Sequence, residues 1–520
     1  MYAFDRRDFI RMAGLGITAL AVSPRIYADE IALEELTIAQ MSRYTARSLT
    51  EAYLRRIAVI DAQLHSIIEL NPDALTIADA LDRERAAGHV RGPMHGIPVL
   101  IKDNIDTGDR MRTSAGSLAL ADSIAAQDAH VVRRLREAGA VLLGKTNLSE
   151  WANFRSTHST SGWSGRGGLT RNPYALDRNC CGSSSGTGAS IAASLAAVGV
   201  GTETDGSIVC PSSACGLVGL KPTVGLVSRG GIIPISHTQD TAGPMARTVT
   251  DAAILLGAMT GIDSLDAVTA TSRGHRQADY TKFLDPDGLR GARIGVGRQY
   301  FGEHDQVKRV MDAALDVLRG LGATIVDPAD MKTSNDYSAS EFDVLLYEFK
   351  AGINAYLAQL PPNVKWHSLA DLIRFNEENR DREMPYFGQE IFLQASLKGS
   401  LTTPAYLKAL AKNTRLSRAE GIDAVLKQHK LDAVIAPTGG PVWSNDLVNG
   451  DHYTGGYSSA SAVAGYPHIT VPAGTAFGLP IGLSFFAGAW SEPALLKYAF
   501  AFEQATKARK APEMLPTAHL

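Results

Sequence analysis

Apolar residues near the start of the chain recur at helical spacing. Between Leu33 and Ala87 they repeat every three or four positions, with little alternation of β-branched and polar residues; examples are Leu49, Tyr53, Ile57, Ile60, Leu75, Ala78 and Leu81. A period of about 3.6 residues is the mark of an amphipathic helix. The pattern therefore predicts a helical leader over this region.

The pattern then changes to short apolar runs that alternate with amphipathic segments. GIPVLIK and VLLGK are such runs, and DAHVVRRLREAGA lies between them. A second series begins at DGLRGARIGVG, after the polar stretch Thr269–Asp287, and LDAVIAPT and HITVPAG continue it. Short apolar runs that alternate with helices are typical of the buried strands of an α/β protein. The chain is therefore predicted to have an α/β fold.

Residues 335–425 interrupt this alternation. The block is mostly helical in its pattern and rich in aromatic residues: Tyr347, Phe349, Tyr356, Trp366, Phe375, Tyr386 and Phe387. Because strand-like runs resume after it, we interpret the block as a helical insertion. Its aromatic residues make it a candidate for the wall of a substrate channel.

Composition narrows the class of partner. The 520 residues are 45% hydrophobic and 20% charged, so the chain can bury a large core. The formal net charge is -3 and the sequence pI is near 6.5. This balance provides no basic face for nucleic acid. A small, nearly neutral substrate is the expected partner.

The N-terminus has the pattern of a twin-arginine export signal. Arg6 and Arg7 precede an apolar run from Met12 to Val22, and a small residue, Ala28, follows. The alternative is an exposed amphipathic helix; a membrane span needs about 20 apolar residues, so stable insertion is not expected. Residues 1–28 are thus predicted to engage the Tat export machinery, with the mature protein, residues 29–520, periplasmic or secreted.

Four cysteines lie within one short window: Cys180, Cys181, Cys210 and Cys215. They form no CxxC pair, and the chain has no HExxH motif, so no metal site is predicted. We favour the interpretation that the four cysteines act as small apolar residues packed around a site. A disulfide that forms after export remains an alternative, but the sequence does not assign a pairing.

Serines among glycines in CCGSSSGTGAS raise the question of a nucleophile. Gly182 to Gly186 fits G-x-S-x-G, the nucleophile elbow of α/β-hydrolases, with Ser184 as the attacking residue. That elbow requires a strand leading directly into the turn. The preceding RNPYALDRNCC is polar and contains proline, which predicts a loop, so the elbow interpretation is disfavoured.

A buried lysine is the other way to activate a serine without histidine. Burial disfavours the charged ammonium and lowers its pKa, which turns lysine into a base. In PVLIKDN, Lys102 follows three apolar residues. A lysine that extends to the surface from an apolar strand is the alternative.

Five blocks occur in the order and spacing of the amidase signature family: HGIPVLIKDNIDT, GAVLLGKTNLSEWA, NPYALDRNCCGSSSG, GTETDGSIVCP and GLVGLKPTVGLVSRGGIIPISHTQDTAGPMARTVTDAA. The chain resembles that family from about Leu36 to Thr506. The resemblance implies a single large α/β/α domain with a mixed β-sheet covered by helices. It also implies hydrolysis of carboxamide C–N bonds through an acyl-enzyme, with water as co-substrate and no cofactor.

The family's Ser-cisSer-Lys triad matches Ser207, Ser183 and Lys102. The resemblance implies that Ser207 attacks the amide, Ser183 relays its proton and Lys102 accepts that proton. Ser184 is expected to add a supporting hydrogen bond. The oxyanion hole is expected from four backbone N–H groups, those of Thr204, Asp205, Gly206 and Ser207.

Three positions depart from the commonest family pattern. Cys181 stands where the first glycine of the serine loop is usual, Asp205 replaces a small residue, and Val209 replaces an arginine.

The motifs are most similar to those of exported peptide amidases, which cleave C-terminal carboxamides of peptides. The alternatives are a glutamyl-tRNA-type amidotransferase subunit that hydrolyses glutamine, the Ser184 esterase, and an exported binding protein without activity.

Overall fold

The computed structural model describes residues 31–519. The predicted export signal at residues 1–28 lies outside the described residues. From Leu33 onward the chain forms one compact unit.

Strands account for the predicted apolar runs. Within residues 31–519 they are β1 Ile67–Leu70, β2 Pro98–Lys102, β3 Val141–Thr146, β4 Trp163–Ser164, β5 Gly168–Leu169, β6 Val198–Glu203, β7 Val218–Lys221, β8 Thr241–Ala246, β9 Arg293–Val296, β10 Thr324–Val326, β11 Ala433–Pro437, β12 His468–Ala476 and β13 Leu479–Phe486. Most residues of β2, β3, β6, β11 and β13 are buried, as expected for strands covered on both faces.

Helices follow most strands and cover the sheet. The α-helices of this part of the chain are Ile38–Met41, Ala46–Leu64, Ala74–Ala86, His130–Glu137, Ser185–Ala192, Val209–Ala214, Val249–Met259, Asp305–Gly320, Ser338–Leu357, Leu369–Glu378, Arg380–Glu383, Glu390–Ser396, Pro404–Thr414, Asp423–His429, Ser459–Ala464 and Glu492–Thr506. A π-helical segment, Arg415–Ile422, joins two of them. No helix among the described residues combines the length and apolarity needed to cross a bilayer.

One mixed sheet of eleven strands organises the fold, in the order β1-β3-β2-β6-β8-β7-β12-β13-β11-β9-β10. β3, β2 and β6 run parallel to one another, as do β11, β9 and β10, whereas the central pairs are antiparallel. Strands from before and after residue 280 thus share one sheet. The predicted α/β fold with a mixed, helix-covered sheet is confirmed.

The helical leader is only partly as predicted. Three helices form between Ile38 and Ala86, but the leader is interrupted by β1, which pairs antiparallel with β3 at the sheet edge. The four residues of β1 are too few to show a period of two. Pairing with a distant strand, not local pattern, decides their conformation.

The block at 335–425 is helical, and it lies between β10 and β11 in the chain. Three of its buried aromatic residues, Phe349, Phe375 and Phe392, belong to one apolar cluster with Trp151 and Ile233 of the main body. Buried Arg155 adds a polar connection, because it pairs with Glu150 at 2.7 Å and donates to three backbone carbonyls of residues 383–388. These contacts join the helical block to the main body beside the serine-rich loop.

Candidate active site

Lys102 lies at the end of a buried strand. It is the last residue of β2, and its side chain has no exposed surface. β2 runs parallel to β6, with Ile101 opposite Val200, so the carboxyl ends of both strands lie side by side. Such edges are where α/β proteins place their sites. The alternative of a surface lysine is therefore wrong.

The amine of Lys102 has three polar neighbours. Its Nζ lies 2.8 Å from Ser183 Oγ, 2.9 Å from Thr202 Oγ1 and 3.2 Å from the Thr202 carbonyl oxygen. A neutral amine has two N–H donors and one lone pair. With both donors directed at Thr202, the lone pair faces the hydroxyl of Ser183. The geometry thus suits a neutral lysine that accepts a proton from this serine.

Burial lowers the pKa of Lys102 to about 7. The dominant cause is desolvation, which penalises the ammonium, and the nearby carboxylates Glu203 and Asp240 partly oppose it. A base with this pKa is in large part neutral near neutral pH, whereas an ordinary lysine is almost fully protonated.

Ser183 lies in a tightly packed loop. The Gly182–Ser183 peptide bond is cis, and the Ser183 carbonyl accepts a hydrogen bond from the Ser149 N–H at 3.0 Å. A side chain at residue 182 has no room, because its Cβ would lie 2.3 Å from Ser149 Oγ. Glycine at this position lets the loop approach Ser149, in the segment that follows β3.

Ser184 is not presented as a nucleophile elbow. The residues before it form a loop, as predicted, and a helix begins at Ser185. Its Oγ donates to the Thr202 carbonyl at 3.1 Å and accepts from the Thr202 N–H at 3.2 Å. Both bonds tie the loop to β6, and the side chain is fully buried. Ser184 is thus placed to brace the loop that carries Ser183.

Ser207 follows β6 in a short turn. Its carbonyl accepts a hydrogen bond from the Ser184 N–H at 3.2 Å, which brings the two serine loops together. Gly206 has a φ of +75°, a conformation that favours glycine. Within residues 31–519, no protein acceptor bonds the N–H groups of residues 204–207, and the Ser207 hydroxyl bonds neither Ser183 nor Lys102. The structure therefore joins Lys102 directly to Ser183 and places Ser207 beside them.

Glu203 stabilises the turn that carries Ser207. Its Oε2 accepts from the N–H groups of Ile208 at 2.7 Å and Val209 at 3.0 Å. These bonds cap the helix that begins at Val209 and tie it to the end of β6. Burial raises the pKa of Glu203. Sequence pattern does not reveal this role, because Glu203 lies six residues before the first residue of the helix and so outside the N-cap position.

A second carboxylate, Asp240, also stabilises the turn that carries Ser207. It accepts from Thr204 Oγ1 at 2.6 Å and from the N–H groups of Ile235 and Ser236, each at 2.8 Å. Burial raises its pKa to about 6. Its place within QDTAGPMAR could not be connected with Thr204 without the tertiary structure.

Asp205 lies two residues before Ser207 and faces the helical block. Its Oδ2 accepts from Ser459 Oγ at 2.6 Å. Glu341, from the helical block, is buried near Asp205, and this burial and the neighbouring charge raise its pKa well above the usual value. Two acidic side chains, Asp205 and Glu341, therefore lie together on this side of the site.

The cysteines differ from the favoured prediction. Cys181 and Cys210 form a disulfide with their Cα atoms 5.9 Å apart. Cys180 and Cys215 are free thiols and are buried, as expected for small apolar residues. In the described part of the chain, no group of His, Cys, Asp and Glu side chains is arranged to hold a metal ion.

Known proteins are similar to most of this chain. The family called Amidase matches residues 48–496. A probable amidase of Arabidopsis thaliana is 42% identical over 506 residues, covering 95% of this chain and 94% of that protein. A putative amidase of Schizosaccharomyces pombe is 38% identical over 533 residues, covering 95% of this chain and 89% of that protein.

Solved structures are similar over the same length. The native peptide amidase from Stenotrophomonas maltophilia has a TM-score of 0.88 and 50% sequence identity, covering 93% of this chain and 99% of that one. The chain therefore belongs to the amidase signature family, and it is a hydrolase that acts on amides.

Proposed function

We propose that the protein hydrolyses C-terminal carboxamides of peptides through an acyl-enzyme, with Ser207 as nucleophile, Ser183 as relay and Lys102 as base. One observation carries the proposal. A fully buried lysine with a pKa of about 7 lies 2.8 Å from Ser183, in a loop that contacts the backbone of Ser207.

The first step moves one proton in two transfers. As Ser207 Oγ attacks the carbonyl carbon, its proton passes to Ser183 Oγ, and the Ser183 proton passes to the lone pair of Lys102 Nζ. Catalytic hydrogen bonds are often incomplete without substrate and tighten when it binds. The bond between the two serine hydroxyls is expected to form at that stage.

The unbonded N–H groups of residues 204–207 suit the charge that develops on the carbonyl oxygen. They lie in the turn that carries the nucleophile and are free to donate to an oxyanion. When the C–N bond breaks, the ammonium of Lys102 returns its proton through Ser183 to the leaving nitrogen, and ammonia departs. Water then attacks the Ser207 ester, which releases the carboxylic acid and restores the hydroxyl.

Charge near the nucleophile favours acyl groups without a free carboxylate. Val209 stands where the commonest pattern has arginine, so no cation is present at this position to pair with a carboxylate. Asp205 would repel one. Glutamine carries a free α-carboxylate, whereas a peptide amide has none at its C-terminus. The likeness to a peptide amidase at 50% identity supports the same substrate class.

Ammonia release from a panel of amides tests this proposal. The panel contains C-terminal peptide amides, free amino-acid amides, glutamine and fatty amides at equal concentrations. Peptide amides are expected to give the highest kcat/KM and glutamine the lowest. A preference for glutamine would instead support the amidotransferase alternative, and no hydrolysis of any amide would support the binding protein.

We also propose that the precursor is exported by the Tat machinery to the periplasm or beyond. Support comes from Arg6, Arg7 and the short apolar run after them. Replacing both arginines with lysine is expected to leave the protein in the cytoplasm, as measured by cell fractionation. Unchanged fractionation would contradict this proposal.

A further inference from the structure

The disulfide brackets both proposed catalytic serines. Cys181 lies two residues before Ser183, and Cys210 lies three residues after Ser207. One covalent bond thus connects the loop that carries the relay to the turn that carries the nucleophile.

Each cysteine is fixed to its own side of the site. The Cys181 N–H donates to Asn179 Oδ1 at 2.7 Å, and its carbonyl accepts from Ser185 Oγ at 2.6 Å. On the other side, the Cys210 N–H donates to the Gly206 carbonyl at 2.8 Å. A shift of either cysteine is therefore transmitted to a serine through only a few backbone bonds.

Packing contacts also join the two segments, since the helices that follow them, Ser185–Ala192 and Val209–Ala214, lie against each other. The serine loop is attached to Ser149, which follows β3, and to Thr202 of β6, whereas the nucleophile turn is attached to Glu203 at the end of β6. Between the segments themselves the Ser184 N–H bonds the Ser207 carbonyl at 3.2 Å. The disulfide is the covalent member of this connection, so it limits how far the two hydroxyls can move apart.

Proton relay is sensitive to this separation. A misplacement of about 1 Å at a reacting group can reduce a rate about 100-fold. The hydroxyls of Ser183 and Ser207 must come within hydrogen-bond distance for the first proton transfer. A bond that holds their loops in register therefore acts on kcat more than on substrate binding.

The disulfide is also within reach of a small reductant. Cys210 is partly exposed and lines a small surface cavity with Ser213, Gly439, Trp443 and Tyr453. The free thiols Cys180 and Cys215 are buried and lie away from solvent. A dithiol in solution is thus expected to reach the Cys181–Cys210 bond at Cys210.

We infer that the Cys181–Cys210 disulfide is a positioning element that holds Ser183 and Ser207 in register, so that full amidase activity requires the oxidised form. This inference rests on the proposed catalytic roles of the two serines. When a dithiol reduces the Cys181–Cys210 disulfide, it gives up two electrons and two protons. The S–S bond breaks, two cysteine thiols form, and the dithiol becomes a cyclic disulfide.

The test compares oxidised and reduced enzyme of native fold. Folded protein is treated with dithiothreitol, thiols are counted, and circular dichroism checks the fold at the assay temperature. Peptide-amide turnover and the rate of Ser207 labelling by a phosphonate are then measured. Reduction is expected to lower kcat and the labelling rate about tenfold or more, to change KM less than twofold, and to be reversed by reoxidation.

Two variants complete the design. Cys181→Ala/Cys210→Ala is expected to have the lowered kcat and no response to dithiothreitol. Cys215→Ala removes a buried cysteine outside the disulfide and is expected to keep both the activity and the response.

The outcomes separate this inference from the proposed function. Reduced enzyme with unchanged kcat and labelling rate but a lower Tm would overturn the inference, since the bond would then only stabilise the fold. Four free thiols in the untreated enzyme would overturn it as well. Oxidised enzyme that hydrolyses no amide would instead contradict the proposed function.

Discussion

Acidification should inactivate the enzyme by protonating Lys102. Only the neutral amine can accept the proton of Ser183, so kcat/KM should follow the neutral fraction of the lysine. Burial lowers the pKa of this group to about 7. The acid limb of the pH–rate profile should therefore lie near pH 7, as a property of the coupled lysine and serines.

The size of the effect follows from this pKa. About half of the lysine is neutral at pH 7, about a tenth at pH 6 and about a hundredth at pH 5. Activity should thus fall about tenfold for each pH unit below 7. With an ordinary pKa of 10.5 only about 3 molecules in 10,000 would be active at pH 7. Burial of the lysine therefore raises the active fraction by about three orders of magnitude.

Initial rates of ammonia release between pH 5 and 9 measure this limb. Lys102→Met should remove nearly all activity at every pH while it preserves the side-chain volume. Lys145→Met is the matched control, because Lys145 is also fully buried but pairs with Ile101 in the register, on the opposite face of the sheet from Lys102. This variant should keep an acid limb near pH 7.

Asp240→Asn should shift the pKa of Lys102 without removing the base. The charge of Asp240 raises the pKa of Lys102, so its removal should move the acid limb to lower pH. A profile that is flat from pH 5 to pH 8, or active Lys102→Met enzyme, would refute the reasoning.

Three further predictions concern the serines, the turn and the helical block. Ser207→Ala should abolish phosphonate labelling and Ser183→Ala should leave a weak remnant of activity, whereas Ser184→Ala should be milder; mass spectrometry that finds the wild-type adduct on Ser184 would contradict this order. Gly206→Ala should lower kcat about 100-fold, because a φ of +75° disfavours a side chain and a shifted turn misplaces oxyanion donors; an unchanged kcat would show that the turn is not involved. Arg155→Met should lower the free energy of unfolding by about 3 to 5 kcal/mol in urea titrations, because Glu150 loses its buried partner; a loss below about 1 kcal/mol would count against this.

Much of the fold could be predicted from local pattern. Short apolar runs predicted β2, β3, β9, β11 and β12, because buried strands in α/β proteins are apolar on both faces. The helix at His130–Glu137 followed from its amphipathic period. β1 did not follow, because its four residues owe their conformation to pairing with β3.

For the site, the sequence shows which residue types are available and that Lys102 ends an apolar run. Order along the chain carries no distances, so the contact between Lys102 and Ser183, 81 positions apart, follows from the fold alone. The same holds for Asp240, which supports Thr204 from another segment, and for the pairing of Cys181 with Cys210. The lowered pKa of Lys102 also belongs to the tertiary structure, because desolvation depends on every segment that packs around the amine.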